Sequence, residues 1–268
     1  MEHFAVSDGL RIAYDITDFT DPWTDPATLI LLHAAMGSSQ RWFAMVPALC
    51  RAFRVVRMDL RGHGRSSVPA ADQPLSMDRL VQDVRELMDH LECRQAHFVG
   101  NSAGGYVAQN LTMQSPDRVT SLCLFGSTPG LKNSQARSWL PRVAKEGLRE
   151  FLAATIDDRF PPGQDPAHIE WFLDEAGKND TDFIGRFIGL MTTLDWTGEL
   201  ARIQCPTLLV AGGAETVGHA SAYEVMRDRI PDAKLIFYDG LPHNICDIVP
   251  ERCAADVLAF LRDRFGKP

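Results

Sequence analysis

Ala96-His97-Phe98-Val99-Gly100-Asn101-Ser102-Ala103-Gly104 joins a short apolar run of strand length to a G-x-S-x-G pentapeptide. A run with helical period, Ala103–Gln114, follows directly. A serine on a sharp strand-to-helix turn has its hydroxyl lifted out of the sheet, and the small flanking residues let the strained turn pack closely. The helix N-terminus beneath it favours developing negative charge. A bare pentapeptide of this kind reads as an ordinary glycine-rich turn. The strand before it and the helix after it make Ser102 a candidate nucleophile.

Working outward, short apolar runs at Thr28–Leu32, Val55–Met58, Leu122–Phe125, Thr207–Val210 and Leu235–Tyr238 have the length of strands covered on both faces. Amphipathic helical patterns lie between them at Ser39–Cys50, Ser76–Leu91, Ala220–Ile230 and Pro250–Phe265. Strands alternating with helices need right-handed crossovers, and they give an α/β fold with a mostly parallel central sheet and helices on both faces. Phe4–Val6 and Ile12–Ile16 around Ser7-Asp8-Gly9 predict an opening hairpin. The alternation breaks once. Residues 128–200 carry helical patterns and no buried strand, which predicts a core domain of residues 1–127 and 201–268 with a helical cap inserted at 128–200.

Composition narrows the function classes. With 45% hydrophobic and 23% charged residues, the 268-residue chain reads as a folded globule. A net charge of −8 opposes binding to phosphate backbones or anionic lipid, so neither nucleic acid nor membrane is an expected partner. No run approaches the length of a membrane span, and Met1-Glu2-His3-Phe4 lacks the basic and apolar regions of a signal peptide, so the expected location is cytoplasmic. The six cysteines show no CxxC pair and no metal-ligand spacing and read as reduced, mostly buried thiols. No metal or organic cofactor is expected. Association as a homodimer is left open.

A serine hydroxyl is a weak nucleophile and needs a histidine base oriented by an acid. Tyr238-Asp239-Gly240-Leu241-Pro242-His243 runs from a strand end through a Gly/Pro loop to a histidine just before the final helix, which is where the base should stand. The acid belongs at another strand end. Gly126-Ser127-Thr128 offers no carboxylate, whereas Ala211-Gly212-Gly213-Ala214-Glu215 does, so Glu215 is assigned and Asp239 kept as the weaker alternative. Acyl transfer also needs donors for a tetrahedral oxyanion. The backbone N–H of Ala103 and that of Ala35, in the loop His33-Ala34-Ala35-Met36-Gly37, are nominated, with Ser38 or Ser39 capping the helix that follows.

With these residues assigned, the sequence resembles the α/β-hydrolase superfamily through nearly its whole length, the insertion matching weakly. The motifs are His33–Gly37 with Trp42 downstream, Asp59-Leu60-Arg61-Gly62-His63-Gly64-Arg65-Ser66, Gly100–Gly104, and Gly240-Leu241-Pro242-His243. Within the superfamily it most resembles the 3-oxoadipate enol-lactonase-like esterases and lactonases. It departs from them in Ala34 where glycine is usual, in Ala103 where methionine is usual, and in Glu215 where aspartate is usual. The resemblance implies Ser102, Glu215 and His243 as nucleophile, acid and base, and Ala35 and Ala103 as oxyanion donors. It also implies that Asp59–Ser66 is a structural turn in which Arg61 pairs with a carboxylate.

The cap should supply an apolar wall, for which Trp139, Trp171, Phe187, Met191 and Trp196 are nominated. Arg137, Arg142, Arg149 and Arg186 could meet a carboxylate, but helical arginines usually face solvent. The expected function is a serine hydrolase that cleaves an ester or lactone of a small, partly hydrophobic molecule through an acyl-enzyme on Ser102. Hydrolysis of a carbon–carbon bond, amide hydrolysis, and a non-catalytic small-molecule receptor remain as alternatives.

Overall fold

Eight strands among the described residues, β1 (Glu2–Ala5), β2 (Arg11–Thr17), β3 (Thr28–Leu32), β4 (Arg54–Met58), β5 (Ala96–Asn101), β6 (Val119–Phe125), β7 (Thr207–Gly212) and β8 (Ala233–Tyr238), form one sheet. Their order in this computed structural model, which describes residues 2–132 and 134–266, is β1-β2-β4-β3-β5-β6-β7-β8. The opening hairpin and the β2–β4 pair are antiparallel, and every pairing from β4 to β8 is parallel. The chain is therefore an α/β fold of the predicted class.

The central strands β3, β5 and β7 are buried along their whole length, as Thr-Leu-Ile-Leu-Leu and Thr-Leu-Leu-Val-Ala-Gly require of strands covered on both faces. The β8 strand departs from that expectation. It lies at the sheet edge, and most of its residues are half-exposed, because no further strand covers its outer side.

The helices are α1 (Val46–Leu49), α2 (Met77–His90), α3 (Ala103–Gln114), α4 (Leu140–Glu146), α5 (Leu148–Ala153), α6 (Pro166–Gly177), α7 (Thr181–Met191), α8 (Ala220–Arg229), α9 (Ile245–Ile248) and α10 (Pro250–Phe265). The helix expected over Ser39–Cys50 is in fact a short 3-10 turn, Ser39–Trp42, followed by α1. Pro47 sits in the first turn of α1, where its missing N–H costs nothing; mid-helix it would break the ladder. Between β6 and β7 the regular elements are all helical, α4 to α7 with three 3-10 turns. None of the described helices is long and apolar enough to cross a membrane.

The loop Asp59–Ser66 is a structural knot. Asp59 accepts the backbone N–H groups of Ser39 (2.6 Å) and Arg65 (3.0 Å), and Arg61 is fully buried against Asp83 and Asp8. His33 accepts the Leu60 N–H at Nε2 (2.9 Å), so its Nδ1–H is free to donate to Ala34 O (2.7 Å). His63 packs edge-on against His33, Phe183 and Phe187.

The imidazoles of His33, His63 and His97 are buried, and burial pushes all three below the usual histidine range, His63 to about 3 and His97 to about 4. Native His63 and His97 thus refuse a proton that the unfolded chain accepts below pH ~6.5. Stability is complete above that pH and falls as pH drops through the window down to about 4. Each such group steepens the fall by up to about 1.4 kcal/mol per pH unit. Among the described residues the His97 ring meets Ser121 Oγ (2.8 Å) and the rings of Phe53 and Phe265, so His97→Gln should fold. Urea unfolding between pH 4.5 and 7 should show the acid slope of the variant reduced by about one proton. An unchanged slope would mean that native His97 titrates normally.

Candidate active site

The turn after β5 is built around Ser102, which adopts φ 49 and ψ −115, a conformation that L-residues rarely occupy. It is held there from several sides. Ser102 N donates to Phe125 O (2.8 Å), Ser127 Oγ donates to Ser102 O (2.9 Å), and Gly105 N donates to the same carbonyl (2.9 Å). A methyl at Gly104 would collide with the Leu32 carbonyl, so glycine is needed for β3 and α3 to approach.

Ser102 is 8% exposed, and its Oγ lies 3.2 Å from His243 Nε2. His243 Nδ1 lies 2.7 Å from Glu215 Oε2. A carboxylate accepts only, so Nδ1 carries the proton and Nε2 is left with a lone pair facing the serine hydroxyl. Glu215 is completely buried at its side chain, and its Oε1 accepts the N–H groups of Val217 (2.7 Å) and Gly218 (3.2 Å). Burial alone would raise its pKa, but His243 and these two amides outweigh that and hold it below the usual glutamate value. It therefore stays anionic beside the imidazole. Asp239, the alternative acid, is exposed, and Asp247 is bound to Arg41.

Ala35 and Ala103 line the same cavity as Ser102 and His243. The backbone strain of the loop after β3 falls on Met36, at φ 60, and not on Ala34. A methyl at position 34 is thus accommodated without strain. Among the described residues, neither the Ala35 nor the Ala103 N–H has a hydrogen-bond acceptor. Ser38, not Ser39, caps the following turn by accepting from Gln40 N; the Ser39 backbone N–H donates to Asp59, and its buried hydroxyl has no partner among the described residues.

Comparison with known proteins decides the family. A family profile described as the alpha/beta hydrolase fold matches residues 27–161. The chain belongs to the alpha/beta hydrolase family. The structure of a hydrolase from Pseudomonas aeruginosa PA01 superposes with a TM-score of 0.86 at 34% identity, covering 97% of each chain. The dihydrolipoyllysine-residue acetyltransferase component of the acetoin cleaving system of Pseudomonas putida is 40% identical over 243 residues, which are 87% of this chain and 63% of that protein. The 3-oxoadipate enol-lactonase 2 of Acinetobacter baylyi is 27% identical over 199 residues, 72% of this chain and 73% of that protein. The resemblance read from the motifs is thus to proteins that this alpha/beta hydrolase does match.

A cavity that is partly open to solvent lies beside Ser102. Of the five residues nominated for its wall, the structure places Trp139 and Met191 there and the other three elsewhere. Trp171 packs on Phe43 and His168 away from the cavity. Phe187 is turned into the core against His63. Trp196 donates from Nε1 to Gln109 Oε1 (2.9 Å) and packs edge-on against Tyr106.

The wall uses Leu131, Leu152, Phe172 and Ile188 instead, and Arg41, Arg159 and Asn244 are among its polar members. On α7 the neighbours Phe187 and Ile188 point about 100° apart, and periodicity does not tell which faces the sheet core and which the cavity. The helical arginines first considered are engaged elsewhere or solvated: Arg142 with Glu146, Arg149 with Glu170 and Asp174, Arg186 on the carbonyls of Ala70 and Gln73, and Arg137 exposed.

Proposed function

We propose that this alpha/beta hydrolase cleaves a carboxylic ester or lactone through an acyl-enzyme on Ser102. The observation that carries the reading is the continuous relay from Ser102 Oγ to His243 Nε2 and from His243 Nδ1 to Glu215 Oε2, at 3.2 and 2.7 Å. Its floor lies at the open ends of the parallel strands, where folds of this kind take ligands.

Ser102 Oγ attacks the carbonyl carbon while His243 Nε2 takes its proton, and Glu215 stabilises the imidazolium that results. The carbonyl π bond becomes an oxyanion received by the N–H groups of Ala35 and Ala103. Collapse breaks the bond to the leaving oxygen, which takes the proton from His243. A water then gives its proton to His243 and attacks the acyl carbon, and the acid leaves with Ser102 Oγ reprotonated. Residues 128–200 act as the cap that walls the acyl group and excludes bulk water. The substrate is a small molecule, and neither nucleic acid nor a membrane takes part. Every proton and bond is accounted for by these side chains and water.

Phenylmethanesulfonyl fluoride and a panel of 4-nitrophenyl esters, five- and six-membered lactones and matched anilides test the reading. Turnover of an ester or lactone, with one sulfonyl group located on Ser102 by mass spectrometry and neither event in Ser102→Ala, is the expected result. Anilides turned over as fast as esters would move the reaction to amides. Hydrolysis that persists undiminished in Ser102→Ala would end the acyl-enzyme reading.

A further inference from the structure

Two arginines reach the wall of the cavity beside Ser102, and the fold treats them differently. Arg41 is buried with Asp247, whose carboxylate receives its Nε (2.9 Å) and Nη2. Arg159 is only 5% exposed, yet among the described residues it has no carboxylate within ion-pair distance. Its Nη1 donates to Thr155 O and Thr155 Oγ1, both at 2.9 Å, and its guanidinium lies near the Trp139 and Phe151 rings.

The carboxylates that favour the Arg159 charge act on it only from a distance. Asp158, its chain neighbour, accepts from Thr216 Oγ1, and Glu215 is committed to His243 and two backbone amides. Arg41 adds like charge, and burial together with that repulsion depresses the Arg159 guanidinium to about 10, against the pull of Asp158 and Glu215. A buried cation without a partner is unfavourable unless something else neutralises it.

Asn244 stands beside it on the same wall, tied in by its N–H donating to Arg159 O (3.2 Å). Its Nδ2 is buried with no hydrogen-bond partner among the described residues. A buried guanidinium without a carboxylate and an unmet amide donor thus meet at one corner of a cavity that Leu131, Leu152, Phe172 and Ile188 also line.

We infer that this corner is a carboxylate subsite, and that the substrate is an ester or lactone bearing a second, anionic carboxylate received by Arg159 and Asn244. An apolar segment between that carboxylate and the scissile carbonyl lies along the aliphatic and aromatic wall. The inference rests on the acyl-enzyme reading of Ser102 for its reaction and on Arg159 for its specificity. A guanidinium matches a carboxylate in shape and charge, and a buried polar group left unpaired by a neutral analogue discriminates against that analogue.

The test compares 4-nitrophenyl monoesters of adipic and suberic acids with 4-nitrophenyl hexanoate and octanoate, in wild type, Arg159→Lys and Arg159→Met, with thermal unfolding to check that each variant folds. Wild type should favour the anionic ester in kcat/KM, and Arg159→Met should reduce the anionic-to-neutral ratio by roughly 10–100-fold, mainly through KM, with Arg159→Lys intermediate. Equal ratios in wild type and Arg159→Met, with both esters still dependent on Ser102, would overturn the subsite and leave the esterase reading standing. If neither ester turns over, calorimetric titration with glutarate and with glutaramide decides. Glutarate binding that Arg159→Met abolishes supports the subsite without the esterase, and equal binding of the two probes to both proteins ends it.

Discussion

Ser102→Ala should lower kcat/KM for the best ester or lactone by about 10⁴-fold or more, with His243→Ala close behind and the double variant no slower than the worse single one. The expectation follows from the geometry. Ser102 Oγ has one base within reach, His243 Nε2 at 3.2 Å, and the imidazole tautomer is imposed by Glu215 at 2.7 Å. A nucleophile without its base, or a base without its nucleophile, performs the same residual chemistry, which is water attack on a carbonyl held against the oxyanion donors. The losses therefore overlap and do not add. Alanine inherits the φ of 49° at position 102, so the backbone cost is the same before and after substitution, and unfolding midpoints should stay close to wild type. Initial rates with each single and double variant check the expectation. Losses that multiply in the double variant would mean that the two residues act in separate steps.

Arg61→Ala should destabilise the fold by about 3–5 kcal/mol without any direct part in the chemistry. The guanidinium is completely buried, and it donates from Nε and Nη2 to the two oxygens of Asp83 (both 2.7 Å) and from Nη1 to Asp8 (2.8 Å). Burial works against its charge, but Asp83 and Asp8 outweigh it and raise its pKa. Removing it leaves Asp83, 1% exposed at its side chain, with Arg79 as its remaining cation, and a cavity where the side chain stood. Asp83 cannot reach water to recover the lost interaction, which is why the loss of one partner costs more than the pair contributes. Urea unfolding at pH 7 measures the loss. The double variant Arg61→Met with Asp83→Leu, in which no buried charge is orphaned, should recover a substantial part of it; a double variant as unstable as Arg61→Ala would place the cost in packing.

Both positions illustrate what the amino-acid order reveals. Ser102 was legible because a strand of Ala-His-Phe-Val and a helix beginning at Ala103 bracket a turn of small residues, all within about twenty positions. His243 and Glu215 followed from topology, since each side chain stands just past the end of a neighbouring parallel strand, β8 and β7. Arg61 could be assigned a carboxylate but not which one, because Asp83 and Asp8 come from α2 and the turn of the opening hairpin.

The cavity wall was far less legible. Trp171, Phe187 and Trp196 are as apolar as Leu152, Phe172 and Ile188, and only the docking of α5, α6 and α7 over the sheet separates those that face the cavity from those that face the core. Arg159 was not singled out at all. Nothing near it in the sequence distinguishes it from the solvated arginines around it; its burial against Trp139 and Phe151, with Asn244 beside it, arises from contacts between the helical segment and the loop that carries His243.

By itself, the sequence determined the α/β class, the strand order's raw material and which candidate residues fall at strand ends, because periodicity and turn chemistry are local and a parallel sheet brings its strand ends together at one edge. Only the tertiary structure decided which residues of the helical segment line the cavity beside Ser102 and which charges there lack an ion pair, because those depend on the rotation and docking of helices whose apolar faces are chemically alike.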